Sequence, residues 1–351
     1  MSHDLPASAW PVQATGTIPP GRERTPAHEL LAVEARGLVK TFGANRAVDG
    51  IDLVVHEGEI FGVLGPNGAG KTTMLQMLAT LLPIEGGMAT IFGYDVGRQS
   101  HAVRQLIGVT GQYASVDELL TGRENLRLFG RLQGLSWKDA RSIGDDLLER
   151  FALTDAADRY VMHYSGGMRR RLDLAASLMT RPALIFLDEP TTGLDPRTRG
   201  QMWETIRALV ADGCTILLTT QYLDEADQLA DRIAVIDRGR KVAEGTPAEL
   251  KAQVGGSGLR VHLADGVDAR AASAVAGEVA HHVPILSPAG TGFSVSLSDA
   301  NLAADVLIAL RQRGMDIVTA AIEQPTLDEV FMALTGQPGA ASSPDPEANA
   351  A

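Results

Sequence analysis

The stretch that decides the fold is Gly65-Pro66-Asn67-Gly68-Ala69-Gly70-Lys71-Thr72, which matches the phosphate-binding pattern G-x-x-x-x-G-K-[ST]. The apolar run at 60–64 precedes it and is typical of a buried strand, and a helical pattern at 72–78 follows it. In this setting the glycines let backbone N–H groups converge on a polyphosphate, and the helix N-terminus adds partial positive charge. The sequence therefore predicts a site for a nucleoside triphosphate.

Two residues at the end of this loop have separate predicted roles. Lys71 is expected to reach the β- and γ-phosphates and to act in catalysis, and Thr72 is expected to offer its hydroxyl to Mg²⁺. The predicted contacts with ATP comprise Gly65, Pro66, Asn67, Gly68, Ala69, Gly70, Lys71, Thr72 and Thr73.

The composition restricts the partners of the chain. Its 351 residues suggest two domains, and its net charge of −12 argues against a nucleic-acid partner. No apolar stretch approaches the roughly 20 residues that a membrane-spanning helix needs, and the N-terminus lacks a basic and apolar leader. We therefore expect a chain without a transmembrane segment that is made and kept in the cytosol. Cys214, the single cysteine, is expected to be buried.

Patterning divides the chain into two ordered units between two polar ends. Residues 1–28 and 337–351 lack periodicity and are predicted to be disordered. Residues 29–252 are predicted to form the first domain, with a helical subdomain at about 115–170. Residues 256–336 are predicted to form a small accessory domain.

The fold class follows from the patterns within these units. In the first unit, short apolar runs at 184–187, 215–218 and 232–236 are typical of strands buried on both faces of a largely parallel sheet. In the second unit, strand-like and helical patterns alternate in a βαββαβ-like order. We therefore predict an α/β protein, with a P-loop nucleotide-binding domain and a small C-terminal ferredoxin-like domain.

Two carboxylates follow the apolar run at 184–187. If this strand ends beside the phosphate loop, Asp188 would support the shell of Mg²⁺, and Glu189 would orient or deprotonate the attacking water. An acidic pair after a strand can also form a solvated turn. The phosphate loop upstream favours the catalytic interpretation.

A second anion-binding helix start lies between the loop and these carboxylates. Tyr164-Ser165-Gly166-Gly167 places a serine and two glycines at the opening of an amphipathic helix. The order of phosphate loop, Ser-Gly-Gly and Leu-Asp-Glu-Pro-Thr-Thr-Gly-Leu-Asp (187–195) resembles the ATP-binding cassette (ABC) family of ATPases. The resemblance covers residues 30–250 and implies the ABC type of nucleotide-binding domain, with ATP and Mg²⁺ as its ligands.

By position, this resemblance assigns roles to two residues outside the loop. Phe42 resembles the aromatic residue that stacks on adenine. Gln112 resembles the glutamine that meets Mg²⁺ and links the site to the helical subdomain.

Other positions resemble the parts of the family that act between subunits. Ser165, Gly166, Gly167 and Met168 resemble the signature that grips the γ-phosphate of ATP bound to the opposite subunit, with Met168 in place of the commoner Gln. Asp195 resembles the loop that couples the paired sites. The resemblance thus implies two ATP molecules sandwiched in a head-to-tail dimer with a second ATP-binding subunit, as a homodimer.

One catalytic position departs from the family pattern. Gln221 stands where most members carry a histidine that contacts the γ-phosphate. An amide can still donate a hydrogen bond but cannot become cationic, so turnover is expected to be slower or less sensitive to pH.

Three motifs resemble a narrower group, the daunorubicin-resistance type of ATP-binding subunit. They are Gln-Tyr-Leu-Asp-Glu-Ala-Asp (221–227), Tyr-Ser-Gly-Gly-Met-Arg-Arg-Arg-Leu (164–172) and Pro-Thr-Leu-Asp-Glu-Val-Phe (325–331). This resemblance implies export of hydrophobic drugs, antibiotics or lipids through separately encoded integral-membrane permease subunits. It places the chain at the cytoplasmic face of the cell membrane.

Two other functions share the same ATPase core. A soluble ABC-type ATPase that acts on ribosomes usually carries two phosphate loops, and this chain has one. A chromosome or repair ATPase would need a long coiled coil between the loop and Ser165, and the intervening sequence has no sustained heptads. The three arginines at 169–171 are interpreted as a solvated or ion-paired helix face rather than a nucleic-acid site.

Overall fold

A computed structural model describes residues 31–111, 115–254, 258–287, 290–299, 301–323 and 326–335. Gln112 and the two ends predicted to be disordered lie outside these residues, so the expectations for them stay predictions. Contacts divide the described chain into two compact units, one that ends at Glu244 and one that begins at Gly245. Within the described residues, no helix combines the length and the apolar character needed to cross a bilayer.

In the described residues, the first unit contains ten strands in two sheets. They are β1 (Leu31–Phe42), β2 (Asn45–His56), β3 (Ile60–Leu64), β4 (Gly86–Ile91), β5 (Tyr94–Asp95), β6 (Ile107–Thr110), β7 (Leu184–Asp188), β8 (Thr215–Thr220), β9 (Arg232–Asp237) and β10 (Arg240–Gly245). One sheet has the order β2-β1-β4-β5 with antiparallel neighbours. The other has the order β10-β9-β3-β8-β7-β6, and its strands pair in parallel from β9 to β6.

The order of the parallel strands explains why the predicted site residues lie at one edge of the sheet. Every residue of β3, β7 and β8 is buried, as their continuous apolar patterns predict. These strands are neighbours in the order β3-β8-β7, so their carboxyl ends meet at one edge. In open parallel sheets, ligands bind outside this edge.

Seven α-helices complete the part of the first unit that the structure describes. They are α1 (Lys71–Leu78), α2 (Ser100–Leu106), α3 (Gly122–Leu132), α4 (Trp137–Arg150), α5 (Gly166–Ser177), α6 (Pro196–Ala211) and α7 (Leu223–Leu229). Two 3₁₀ turns, Thr154–Ala156 and Val161–His163, connect α4 to α5. Helices therefore dominate residues 115–170, and their assignment to a separate helical subdomain stays a prediction.

Local capping explains where the helices of this region begin. Thr121 and Glu124 form a capping box at the start of α3, and the Ser136 side chain accepts a hydrogen bond from Asp139 N at the start of α4. The apolar faces of both helices contribute Leu126, Leu147 and other buried side chains to a shared core.

The second unit has the predicted ferredoxin-like topology. Its elements are α8 (Pro247–Val254), β11 (Gly258–Leu263), α9 (Ala269–Ala280), β12 (Ile285–Leu286), β13 (Gly292–Ser296), α10 (Leu302–Gln312), β14 (Ile317–Glu323) and α11 (Leu327–Thr335). The sheet order is β12-β13-β11-β14, and all its pairs are antiparallel. The α/β fold class predicted for the chain is confirmed.

The contact boundary falls earlier than the predicted domain limit at residue 252. Helix α8 packs against α11 and so belongs to the second unit. The limits 252 and 256 stay predictions of the domain organisation. Cys214 is buried as predicted, and burial raises the pKa of its thiol to about 12.

Candidate nucleotide-binding site

The phosphate loop spans 65–70 between β3 and α1, and close backbone contacts demand its glycines. A Cβ atom at Gly65 would lie 2.2 Å from the carbonyl oxygen of Ile236, and one at Gly70 would lie 2.2 Å from that of Ala47. Gly70 also has a φ of +104°, in the region that favours glycine. The loop thus lies directly against neighbouring backbone, with its N–H groups at the start of α1.

Lys71 is buried and held over the loop. Its Nζ donates to the carbonyl oxygens of Gly65 at 2.7 Å and Pro66 at 3.2 Å. It also lies 3.6 Å from Glu189 Oε1. Burial lowers the pKa of Lys71, and the attraction of Glu189 and Asp188 opposes this shift. Carbonyl groups of the phosphate loop therefore hold the ammonium group of Lys71 beside the carboxylate of Glu189.

Asp188 ends β7, and its carboxylate accepts hydrogen bonds from hydroxyl groups on two other elements. Its Oδ1 accepts from Thr72 Oγ1 at 3.1 Å and from Thr219 Oγ1 at 2.5 Å. Carboxylate and hydroxyl oxygens are the hard ligands that Mg²⁺ takes, usually with only one or two carboxylates. Two of the three residues predicted to hold Mg²⁺, Thr72 and Asp188, are thus in contact and have the right chemistry, and the third, Gln112, lies outside the described residues.

Glu189 has a strained backbone. Its φ is +50°, which is uncommon for a residue with a side chain. Its N–H donates to Thr219 O at 3.1 Å, and its Oε2 accepts from Thr192 Oγ1 at 3.2 Å. Strained backbone of this kind persists only where its surroundings enforce it, and it clusters at active sites.

The signature residues and Asp195 lie together at two helix N-termini. Ser165 caps α5 and accepts a hydrogen bond from Met168 N, while Asp195 caps α6 and accepts from Thr198 N and Oγ1. These hydrogen bonds lower the pKa of Asp195. A Cβ atom at Gly167 would lie 2.4 Å from Thr198 Cγ2, so the two helix starts are in close contact.

This pair of helix starts is separate from the phosphate loop of the same chain. Ser165 and Gly166 are exposed. Across the described ranges, no hydrogen bond or ion pair joins residues 165–168 or Asp195 to residues 65–73.

The two remaining predicted site residues lie at or directly after the ends of strands that belong to different sheets. Phe42 ends β1 with half of its surface exposed, and Lys40 Nζ lies 5.5 Å from its ring centroid. Gln221 directly follows β8, the strand between β3 and β7. Its side chain is therefore attached at the edge where the loop and the carboxylates meet.

The three arginines at 169–171 differ in their surroundings, and the middle one is ion-paired with Asp173 at 3.9 Å but is not solvated. Arg169 is ion-paired with Glu118 at 2.8 Å, as expected. The Arg170 side chain is largely buried and donates to backbone carbonyl oxygens that include those of Asp188 and Glu189. Successive helix residues point about 100° apart, so one of three consecutive arginines on an amphipathic helix faces inward.

A buried carboxylate was also missed. Glu225 is fully buried in α7, and its Oε1 accepts from Thr191 Oγ1 at 2.7 Å and from Trp203 Nε1 at 3.2 Å. Burial raises the pKa of Glu225. It belongs to the acidic motif that follows Gln221, and its position in α7 sets it against the segment that follows Glu189.

Family comparisons match both units. Residues 48–192 match the family model for the ABC transporter ATP-binding domain, and residues 245–335 match that for the C-terminal domain of DrrA1-3-like ATP-binding proteins.

Curated relatives include proteins from three bacterial genera. The daunorubicin/doxorubicin resistance ATP-binding protein DrrA of Streptomyces peucetius is 53% identical over 311 residues, which cover 88% of this chain and 93% of that protein. The doxorubicin resistance ATP-binding protein DrrA of Mycobacterium tuberculosis is 43% identical over 313 residues, covering 88% and 95%. The Nod factor export ATP-binding protein I of a Rhizobium species is 45% identical over 220 residues, covering 63% and 72%.

Solved structures show the same cassette. An ATP-binding cassette of an ABC transporter in its ADP conformation is 26% identical with a TM-score of 0.56, covering 62% of this chain and 92% of that one. A dimeric cassette in a post-hydrolysis state, bound to ADP and Pi, is 25% identical with a TM-score of 0.56, covering 61% and 98%.

Matches of this identity and coverage establish the family, and they explain why the phosphate loop, the strand-end carboxylates and the Ser-Gly-Gly helix start occur in one chain. The chain belongs to the ABC family of ATPases, as an ATP-binding subunit of the daunorubicin/doxorubicin-resistance type.

Proposed function

We propose that this ATPase powers a separately encoded membrane permease and that the transporter exports hydrophobic drugs, antibiotics or lipids. The single observation that carries the ATPase mechanism is the meeting of Lys71, Asp188 and Glu189 at one sheet edge. The names of the relatives, which refer to daunorubicin and doxorubicin resistance and to Nod factor export, support export and its direction.

Hydrolysis would use the residues at that edge in distinct ways. The loop N–H groups and Lys71 bind the β- and γ-phosphates and offset their charge. Glu189 orients the attacking water and accepts its proton as the new O–P bond forms on the γ-phosphorus and the bond to the β–γ bridging oxygen breaks. The products are ADP and phosphate. Thr72 and Asp188, with Gln112, would hold Mg²⁺, which supplies positive charge to the phosphate oxygens.

We further propose a head-to-tail homodimer that completes each site. In the described residues, the exposed Ser165 and Gly166 form no hydrogen bond or ion pair with the phosphate loop of their own chain, whereas Ser165 caps a helix whose N-terminus favours anions. In the dimer, Ser165–Met168 would contact the γ-phosphate bound to the opposite subunit, Asp195 would couple the two sites and Phe42 would stack on adenine. A dimeric solved cassette with ADP and Pi supports this arrangement.

An exposed apolar patch suits the permease. The Leu119, Tyr160 and Met162 side chains are each about half exposed or more. The backbone brings them together, because Met162 N donates to Glu118 O and Val161 N donates to Leu120 O, each at 3.0 Å. Exposed apolar clusters mark interaction sites. We propose that this patch docks on the permease, which holds the chain at the cytoplasmic face of the membrane.

The mechanism is tested with Glu189→Gln, which keeps the shape of the side chain but removes the base. We expect turnover to fall by about 10²- to 10⁴-fold, the usual contribution of general-base catalysis. ATP binding should be retained, and an ATP-locked dimer should accumulate in size-exclusion chromatography. Glu149→Gln, the same change at an exposed position of α4, is the matched control. Undiminished hydrolysis by Glu189→Gln would remove Glu189 from the mechanism.

The transport assignment is tested by purifying the tagged chain from detergent-solubilised membranes of its host. A multi-span protein in stoichiometric amount, lost when Leu119 and Met162 are both changed to Ser, would support both the permease and the patch. Recovery from the cytosol with ribosomal proteins would instead support a soluble ATPase that acts on ribosomes.

A further inference from the structure

We propose that Arg170 is a positioning residue that holds Glu189 in its strained, catalytic conformation and links it mechanically to α5. The inference rests on the role proposed above for Glu189. The Arg170 side chain forms no described hydrogen bond with the phosphate loop or with the carboxylate oxygens of Asp188 and Glu189.

One guanidinium group holds three consecutive carbonyl groups at the end of β7. Arg170 Nη2 donates to Asp188 O at 2.9 Å and to Glu189 O at 3.1 Å, and Nε donates to Pro190 O at 3.0 Å. Its Nη1 donates to the carbonyl oxygen of Gly111, which follows β6. The planar fork of an arginine can satisfy several acceptors at once, and no other side chain offers five donors in fixed geometry.

The environment of Arg170 shows that these contacts are not incidental to a surface charge. Its side chain is 11% exposed, and it forms an ion pair with Asp173 at 3.9 Å, a separation beyond hydrogen-bond distance. The Oδ1 of Asp173 accepts a hydrogen bond from Ser115 N at 2.7 Å instead. A buried cation is costly unless its protons are satisfied. Here backbone carbonyl groups accept hydrogen bonds from the N–H groups of Arg170. The guanidinium group therefore fixes the position of that backbone.

The backbone that Arg170 fixes is the strained one. Glu189 has its φ at +50°, and such a conformation is unfavourable and persists only where neighbouring groups enforce it. Carbonyl contacts on both sides of that residue and on the residue itself fix the direction in which the Glu189 side chain leaves the chain. Loss of the guanidinium would therefore let the base relax away from the attacking water without changing the phosphate loop.

The same contacts link two parts of the proposed dimer site. Arg170 lies in α5, whose N-cap is Ser165. In the proposed dimer, Ser165 senses ATP on the opposite subunit, while Glu189 acts on ATP in its own. A displacement of α5 when the signature engages nucleotide would be carried by Arg170 directly to the backbone of the base.

The test compares Arg170→Gln and Arg170→Lys with Arg171→Gln in the full-length chain. Arg171 is the matched control, because it is partly buried in the same helix and donates to Phe151 O at 3.0 Å, away from β7. We expect Arg170→Gln to lower kcat by about 10- to 100-fold, the scale of a small misplacement of a catalytic group. The KM for ATP and the Kd of a fluorescent ATP analogue should change less than twofold. Arg170→Lys should be only partly active, because an ammonium keeps the charge but not the fork.

The outcomes are separable. A kcat within twofold of the unsubstituted chain in Arg170→Gln would overturn the inference. So would a loss of kcat accompanied by weaker ATP binding, or an equal loss of kcat in Arg171→Gln, because either would indicate general damage to the fold. Glu189→Gln is assayed in parallel. If Glu189→Gln hydrolyses ATP normally, the proposed role of Glu189 fails. If Glu189→Gln loses turnover while Arg170→Gln keeps normal turnover, only the positioning role of Arg170 is overturned.

Discussion

The two units of the chain differ in what they bury. Among its described residues, the first unit buries six charged side chains: Lys40, Lys71, Asp173, Asp188, Glu189 and Glu225. In the described part of the second unit, the buried side chains are apolar, with Phe293, Leu259 and Val306 among them. Both units have sheets covered by helices, so the difference does not come from the fold class.

This difference indicates which unit contributes buried charges to chemistry and which contributes mainly apolar burial to stability. A buried charge is unfavourable unless partners and hydrogen bonds compensate it, so its retention indicates chemistry more than stability. The apolar core of the second unit only stabilises the fold. Substitutions in the first unit should therefore change ATP binding or turnover, whereas substitutions in the second should change its stability.

Gly65→Ala in the phosphate loop tests the first unit. The new Cβ atom would lie 2.2 Å from the carbonyl oxygen of Ile236, so the loop must move. We expect ATP binding to weaken by about 5-fold or more, since overpacking of this kind costs at least about 1 kcal/mol. Titration with a fluorescent ATP analogue measures it. Gly314→Ala in the second unit is the control, because its Cβ meets open space and only the φ of +72° is strained. Equal affinity in both variants would contradict the comparison.

Phe293→Ala tests the opposite unit. Phe293 lies in β13 and is 1% exposed, so its truncation should cost about 3–5 kcal/mol in the free energy of unfolding of the second unit. Hydrogen exchange of the amides in β11 and β13 reports this loss locally. The kcat for ATP should stay within about twofold, as no described contact relates Phe293 to the nucleotide site. Val318→Ala, 66% exposed on β14, should leave exchange nearly unchanged. A large fall in kcat in Phe293→Ala would show that the division between the units is wrong.

Glu225→Gln tests the cost of burying a carboxylate. Because the folded state raises the pKa of Glu225 above its ordinary value of 4.5, the folded chain binds more protons than the unfolded chain above that pH. Stability must therefore fall as the pH rises from about 4.5 through the raised pKa, by about 1.4 kcal/mol for each unit of the shift. Glutamine keeps the acceptor for Thr191 and Trp203 but removes this slope.

The measurement is chemical denaturation of both forms from pH 4.5 to 8. The free-energy difference between Glu225→Gln and the unsubstituted chain should grow with pH in favour of the variant. Glu278→Gln in the second unit is the control, because that side chain is 68% exposed in a surface ion pair with Arg313. Parallel pH profiles for Glu225→Gln and the unsubstituted chain would contradict the prediction.

The smallest expected effect is that of Gln221→His. The residue directly follows β8 and is half-buried, so an imidazole, which also donates a hydrogen bond, should be accommodated. We expect kcat within about 10-fold of the unsubstituted chain, or 1.4 kcal/mol in activation free energy, with a stronger pH dependence between 6 and 7. Total loss of turnover would mean that Gln221 has a role that histidine cannot fill.

Local patterns were sufficient to predict most of the fold. The continuous apolar runs predicted β3, β7 and β8 because strands buried on both faces exclude polar residues. The predicted βαββαβ-like order includes a strand at the place of β12, but no residues were assigned to it, because two exposed residues carry no periodic signal. The extent of the first unit at its C-terminal end was also not evident, because the packing of α8 on α11 is a long-range contact.

By itself, the sequence determined the chemistry of the site and the order of its parts. Gly65–Thr72, Ser165 and the Asp188-Glu189 pair were recognisable because loop, cap and strand-end functions depend on residue type and spacing along a few residues. Only the tertiary structure decided which of the three arginines turns inward and which carbonyl groups it holds. The direction of a side chain on a helix is local, but its partners in β7 and beyond β6 come from distant parts of the chain, and only packing brings them together.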